Sequence, residues 1–293
     1  MNYVILDLEW NSAYSKSAHR FVNEIIEFGA VKLDAGFNEI DSFSRLITPR
    51  VGKKLSGRVR QLTKLTNEDL AGGEDFFTVT DAFTQFLGDS VLMTWGTSDI
   101  HSLIDNYLYY TNSRTIPFLT RYCDLQEYCE KAIGEFDEGN QIGLGHFAEK
   151  IGVDFSEEEQ HRAAADAYLS LKILRRVMNR YPLESCILQA DCEEFYDRML
   201  FKNFFITDLR SPEIDRAQMK FSCDQCGKQA RRVKRWKLHN KNFNADFYCK
   251  NCGRRFSGRI SFKRRYDGVK VNKRIVEKQE QSEKQETNDK AGE

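Results

Sequence analysis

The sequence predicts an α/β protein: a mixed β-sheet flanked by helices, then a small cysteine-bearing module, then a charged tail. Three observations carry that prediction. Apolar, β-branched runs fill much of the first 50 residues and read as consecutive strands. Helical periodicities then alternate with further short apolar runs, the order expected of a layered α/β fold. Four of the eight cysteines stand in two close pairs near the C-terminus, inside a strongly basic stretch.

The elements follow in order. "YVILDLEW" (3–10) and "EIIEFGAVKLD" (24–34) read as strands joined by a long polar excursion, and "SFSRLITP" (42–49) as a third strand of a meander, ended by Pro49. "TNEDLAG" starts a helix at Thr66, with acids in the first turn. "TVTDAFTQFLGD" is amphipathic, with Phe83, Phe86 and Leu87 on one side. "SVLMTWG" is a short buried strand, and "SDIHSLIDNYLYY" a helix after it. "AAADAYLSLKILRRVMNRY" is a helix with Ala167, Leu171, Leu174 and Met178 along one stripe.

A net charge of zero hides an asymmetry. Residues 220–274 hold 18 Lys and Arg against three aspartates, a charge of +15, while residues 1–219 carry −12 and 275–293 carry −3. Clustered positive charge is the electrostatic footprint of a polyanion binder. No apolar run approaches the ~18 residues of a membrane span. The N-terminus lacks the basic segment and apolar core of a secretory signal. A cytoplasmic protein is expected, with Cys123, Cys129, Cys186 and Cys192 packed as small apolar side chains in a reducing compartment.

In an extended chain Asp7 and Glu9 share one face, and Leu8 takes the other. Two like charges in an apolar strand need a proton, a cationic side chain or a metal ion, unless they sit at a frayed, solvated strand end. Asp99 stands at the start of a helix, where an aspartate is also a common N-cap. His161 and Asp166 stand in "EEEQHRAAADAYLSLKIL". Within one helix a spacing of five would separate them by about 140°. The acidic run before His161 instead places it on a loop or first turn, from which it can lean over the same cleft as Asp166.

The order Asp-x-Glu, then Asp about 90 residues on, then His-x4-Asp resembles the DEDDh exonucleases. These are the RNase H-like family of proofreading subunits, RNase T and oligoribonuclease relatives. "NEIIEFGAVKLD", "LTKLTNEDL" and "LGHFAEKIGVDF" are similar to flanking segments of that family, and the resemblance covers roughly residues 1–180. It implies an RNase H-like sheet and a metal-dependent 3′–5′ exonuclease releasing nucleoside 5′-monophosphates. It also implies two Mg²⁺ or Mn²⁺ ions: Asp7 bridging both, Glu9 and Asp166 completing the nucleophile-side ion, Asp99 holding the second through water. Hard divalent ions prefer such carboxylate oxygens. His161 would be the general base; a histidine with the ordinary pKa of about 6.5 is neutral enough at pH 7 to accept a proton. Trp10-Asn11 replaces the Thr-Thr-Gly turn of many members, so Trp10 either stacks on a terminal nucleotide or plugs the sheet end.

"CDQCG" and "CKNCG" place Cys223, Cys226, Cys249 and Cys252 in two knuckles 22 residues apart. Each following glycine permits the tight turn, and four thiolates suit one closed, structural Zn²⁺. The module resembles a zinc ribbon. Around the knuckles Arg231, Arg232, Lys234, Arg235, Trp236, Arg254 and Arg255 interleave cations with aromatics, the composition a single-stranded nucleic acid requires.

The expected organisation is an exonuclease domain (1–182), a helical linker (183–217), a basic zinc ribbon (218–265) and a charged, disordered tail (266–293). The functional expectation is a 3′–5′ exonuclease on single-stranded nucleic acid, RNA ahead of DNA, with the ribbon aiding substrate binding. Protein partners are not specified by any motif. A DNA proofreading or repair exonuclease is the alternative within catalysis. A nucleic-acid-binding adaptor using the fold as scaffold is the alternative outside it.

Overall fold

The computed structural model describes residues 1–137, 141–156 and 161–277. The chain forms two compact units, residues 1–200 and 201–293.

In the first unit, β1 (Tyr3–Ser15), β2 (Arg20–Leu33) and β3 (Glu39–Leu46) form the antiparallel meander. β4 (Val91–Thr94) lies parallel to β1, β5 (Arg121–Asp124) parallel to β4, and β6 (Ile187–Gln189) closes the edge antiparallel. The order is β3-β2-β1-β4-β5-β6, the mixed sheet expected. The polar stretch after Trp10 is not an excursion. β1 and β2 stay paired out to Ser15 and Arg20, as one long hairpin.

Helices cover both faces. Short α1 (Gly57–Thr63) and α2 (Asn67–Ala71) follow β3, and Thr66 and Asp69 close a capping box on α2. α3 (Phe76–Leu87), α4 (Ser98–Thr111) and α8 (Glu193–Leu200) pack on Val4, Leu6, Leu8 and Phe28. α5 (Leu125–Ala132), α6 (Leu144–Ile151) and α7 (Ala163–Val177) pack on Tyr3, Ile5, Val31 and Leu33. Cys123, Cys129 and Cys186 are buried among apolar side chains, whereas Cys192 is exposed.

The predicted linker is divided between the units. α8 buries Phe195 and Tyr196 in the first core, with Phe195 edge-on to Tyr122 at 5.7 Å. Its apolar face needs a partner, and the sheet supplies one. β7 (Phe204–Phe205) belongs to the second unit, pairing with β11 (Arg255–Arg265).

The second unit is a β-sheet around its own core. β8 (Arg231–Arg232) and β9 (Lys237–His239) pair with β10 (Asn242–Tyr248), which pairs with β11. β12 (Gly268–Val276) then pairs with β11 from Gly268 to Val276. Residues 268–276 are therefore a strand, not the start of a disordered tail. Val269, Val271 and Ile275 alternate along it and pack on Phe243, Phe256 and Phe262. Residues 278–293 of the predicted tail lie outside the described residues. Among the described residues, no helix is long and apolar enough to cross a membrane.

Candidate active site

Alternation along β1 sets the site. Tyr3 and Ile5 face the α7 side, and Asp7, Glu9 and Asn11 continue that row. The parallel pairing with β4 ends at Ile5–Met93. Past that point Asp99 takes over: the Leu8 N–H, between the two acids, donates to Asp99 Oδ1 at 2.9 Å. Asp99 is not the N-cap of α4. It is buried inside the first turn, and Thr97 occupies the capping position.

Asp166 arrives from the first turn of α7. Its Oδ2 accepts the His161 N–H at 3.1 Å, holding His161 at φ +67 with the residue exposed. A non-glycine residue in the left-handed region is strained and persists only where its surroundings hold it. Ligand atoms of Glu9, His161 and Asp166 all lie within 4.8 Å of one another.

Two positions that sequence reasoning did not single out make this approach possible. Gly29, paired with Asp7, carries the first turn of α7 directly on its backbone: a Cβ there would sit 2.0 Å from Ala164 N and 2.1 Å from Ala163 C. Glu27, directly opposite Glu9, is buried and grips Arg162, with Arg162 Nη2 donating to Oε1 at 2.8 Å and Nε at 3.1 Å. The Ala163 N–H also points at Glu27 Oε2, at 3.4 Å. An isolated glycine inside the apolar run "EIIEFGAV" is the signal for close backbone approach. Glu27 had no readable partner, because Arg162 lies 135 residues away.

Burial and mutual repulsion govern the electrostatics of these carboxyls. Burial first, then Asp99, Asp166 and Glu9, hold Asp7 well above the ordinary carboxylate range. Burial, Asp166 and Glu27 push Glu9 up to about 8, with Arg162 pulling the other way. Burial raises Asp99 to about 7 against the Leu8 hydrogen bond, and burial raises Asp166 against the His161 N–H. Four crowded carboxyls with raised pKa values fit hard divalent metals.

Trp10 stands where the two sides of the sheet end meet. It packs on the core beneath and also lines a cleft of about 380 Å³ with Asn23, Ser98, His101 and Leu108.

A sequence family described as Exonuclease, RNase T type, matches residues 4–174, more than half the chain. The chain belongs to the RNase T (DEDDh) exonuclease family. Residues 4–174 are thus an exonuclease-family domain, and the family implies a hydrolase of nucleic acid that uses divalent metals. The PolC-type DNA polymerase III of Clostridium perfringens (strain 13 / Type A) is 28% identical over 174 residues, covering 59% of this chain and 11% of the polymerase. That of Streptococcus pyogenes serotype M18 gives the same figures. The exonuclease thus spans about one tenth of the length of these relatives.

Solved structures share the fold. A full-length 3′-exonuclease superposes with a TM-score of 0.51 at 19% identity, covering 63% of this chain and 61% of that one. The nuclease domain of 3′hExo, a DEDDh family member bound to rAMP, gives 0.50 at 21% identity, covering 63% and 93%. The six-stranded sheet of the exonuclease is therefore RNase H-like.

The second unit of the exonuclease carries the four cysteines. Sγ atoms of Cys223 and Cys252, and of Cys226 and Cys249, are 3.5 Å apart, and all four converge within 4.8 Å. Tetrahedral Zn–S bonds of about 2.3 Å require sulfurs about 3.8 Å apart, so the cluster fits zinc. Both knuckles are built alike. The Gly227 and Gly253 N–H groups donate to the Cys223 and Cys249 carbonyls at 2.8 and 2.9 Å, with φ of +71 and +77 at the glycines. Cys249→Ser is expected to abolish zinc binding and unfold residues 201–277, leaving the first unit folded. Metal analysis with limited proteolysis checks this; a protease-resistant second unit without zinc counts against it.

The cations predicted to bind substrate are not equivalent. Lys234 pairs with Asp246 at 3.0 Å, Arg254 with Asp224 at 2.8 Å, and Arg255 lies over the Tyr248 ring. Arg231, Arg232 and Trp236 line a groove, while Arg235 is exposed elsewhere on the unit.

Proposed function

We propose that this exonuclease removes nucleotides one at a time from the 3′ end of single-stranded nucleic acid, RNA ahead of DNA, releasing nucleoside 5′-monophosphates. The observation that carries the reading is the hydrogen bond from Leu8 N–H to Asp99. It brings a third carboxylate to the strand between Asp7 and Glu9, within electrostatic reach of Asp166. The preference for RNA draws on the rAMP-bound nuclease domain and on a further solved 3′-exonuclease, concerned with the 3′ end of histone mRNA stem-loop, that shares the fold at a TM-score of 0.51 and 18% identity. The polymerase relatives argue for DNA.

When bound, two Mg²⁺ or Mn²⁺ ions held by Asp7, Glu9, Asp99 and Asp166 would neutralise the phosphate and the leaving 3′-oxygen, and acidify a water. The chain's own residues do the rest. His161, exposed and strained on the rim, accepts the proton as the water oxygen attacks phosphorus and the P–O3′ bond breaks; the departing 3′-oxygen is protonated from solvent. Asp166 holds the His161 backbone in place. Trp10 offers a stacking face to the terminal base, worth about 1–3 kcal/mol. The basic second unit offsets the repulsion between a polyanion and an acidic catalytic unit.

The test is degradation of matched single-stranded RNA and DNA oligomers with Mg²⁺ or Mn²⁺, with products identified by chromatography. Expected are 5′-monophosphates, shortening from the 3′ end only, and faster RNA turnover. Binding without hydrolysis under any of these conditions would leave the adaptor reading in its place.

A further inference from the structure

A cavity of about 730 Å³ lies within the second unit. Its size falls in the range of about 300–1,000 Å³ typical of ligand sites. Trp236 and Phe247 supply aromatic wall, and Arg216, Lys220, Arg231 and Arg232 supply charge from two separate segments. We propose that this groove is a single-strand polynucleotide site. One base stacks on Trp236, and the flanking phosphates lie on Arg216, Lys220 and Arg231. The inference deepens the exonuclease reading and rests on it only for the purpose served, retention of the strand during turnover.

Trp236 is the centre of the argument. Phe221 and Phe247 approach it at 6.2 and 5.7 Å, so its inner side belongs to the core and fixes the ring. It is only partly buried, and the rest of the ring lines the groove. The Arg232 guanidinium lies over the indole at 5.7 Å, so the ring presents a π-face to a flat group. A base can stack there, either against the guanidinium or in its place. An acidic peptide would satisfy the cations but leaves a rigid indole floor without a matching ring.

The charges are placed with the same selectivity. Lys234 and Arg254, elsewhere on the unit, are held in ion pairs with Asp246 and Asp224. Arg216, Lys220, Arg231 and Arg232 are exposed on the groove. Arg216 and Lys220 bracket a single turn of 3-10 helix, Arg216–Met219, that Asp215 caps through the Ala217 N–H at 2.8 Å. Their backbone is therefore ordered before any strand arrives.

The experiment uses the full-length, zinc-loaded protein carrying Asp7→Asn, without added divalent metal, and a fluorescein-labelled uridine 20-mer read by anisotropy. Arg216→Ser with Lys220→Ser should weaken binding about tenfold or more. It should also flatten the dependence of log K on log salt by about 1.4, since each lost single-strand phosphate contact is worth about 0.7. Trp236→Phe, which keeps an aromatic side chain in the core, should reduce the advantage of the 20-mer over its abasic counterpart several-fold. One zinc per chain in each variant verifies that the unit is folded. Unchanged affinity and salt slope in the double variant would overturn the proposal. So would displacement of an acidic peptide by these substitutions with no effect on the 20-mer, which would make the groove a protein site. Hydrolysis by the unsubstituted protein is scored separately, so failure of the exonuclease reading and failure of the groove are distinct results.

Discussion

Replacing Asp7 by asparagine is expected to lower turnover on the order of 10³-fold or more while making the magnesium-free protein more stable. The two effects share a cause. Asp7 is half-buried beside Asp99, Asp166 and Glu9, and is held well above the ordinary carboxylate range. An amide removes the repulsion together with the metal ligand. Raised carboxylates also fix the sign of the pH dependence. The native state retains protons that the unfolded chain releases near pH 4, since Glu9 titrates at about 8 and Asp99 at about 7. Without divalent metal, stability is therefore greatest in mild acid and is lost as pH rises from about 4 to 8. A few kcal/mol over that window corresponds to roughly 5–10 °C in Tm for the first unit. Added Mn²⁺ should restore the loss at pH 8 in the native protein and much less in Asp7→Asn. Scanning calorimetry between pH 5 and 8 decides the matter. A flat profile, or a variant less stable at pH 8 than the native protein, would remove the electrostatic account of the site.

Gly29→Ala should be the most damaging single methyl group in the first unit. Its Cβ would meet Ala164 N at 2.0 Å and Ala163 C at 2.1 Å, and both are backbone atoms that cannot rotate away. α7 must lift from β2, breaking the grip of Glu27 on Arg162 and on the Ala163 N–H. The strain should cost about 3 kcal/mol. Asp166 rides on the displaced turn, and a shift of about 1 Å at a catalytic group costs about 10²-fold in rate. Gly57→Ala is the control, since a Cβ there has nothing within 4 Å. Chemical denaturation together with turnover of the folded fraction measures both effects. Equal behaviour of the two variants would mean that contact between α7 and β2 does not position Asp166.

Much of this was legible in the sequence because it is local. The alternation in "YVILDLEW", the helix start at Thr66 and the stripe along α7 each depend on a few neighbouring residues. The candidate site was legible through the order and spacing of Asp7, Glu9, Asp99, His161 and Asp166. What stayed hidden depends on partners far along the chain. Whether Asp99 caps its helix or reaches across to Leu8 turns on where β4 stops, and no local signal marks that point. The outer half of the β1–β2 hairpin looked like loop because several of its buried positions are polar, Asn11, Ser15 and Glu24, and the partners of Asn11 and Glu24 lie far along the chain. α8 looked like a linker until the sheet face that buries Phe195 was in place. β12 was obscured by its many lysines and arginines, although every second residue near its start is valine.

The pairing of β1 with β2 slips by one residue between Glu9 and Trp10, leaving Ile26 without a partner on β1. Ile26 turns instead toward Leu55, Leu65 and Leu70, beneath the segment that follows β3. Register inside the slip is set by Tyr3–Glu9 against Glu27–Leu33 and by β4; register just outside it is set by the hairpin and by Asn106, which accepts the Ile25 N–H and donates to the Asn23 carbonyl. The bulge therefore acts as a joint that insulates one half of the strand from the other. Residues can be gained or lost at the hairpin tip in pairs, and its exposed Tyr14 and Phe21 exchanged, without rotating Asp7 and Glu9 off their face. Within one continuous strand, the half that carries Asp7 and Glu9 is fixed, and the tip is free to diverge.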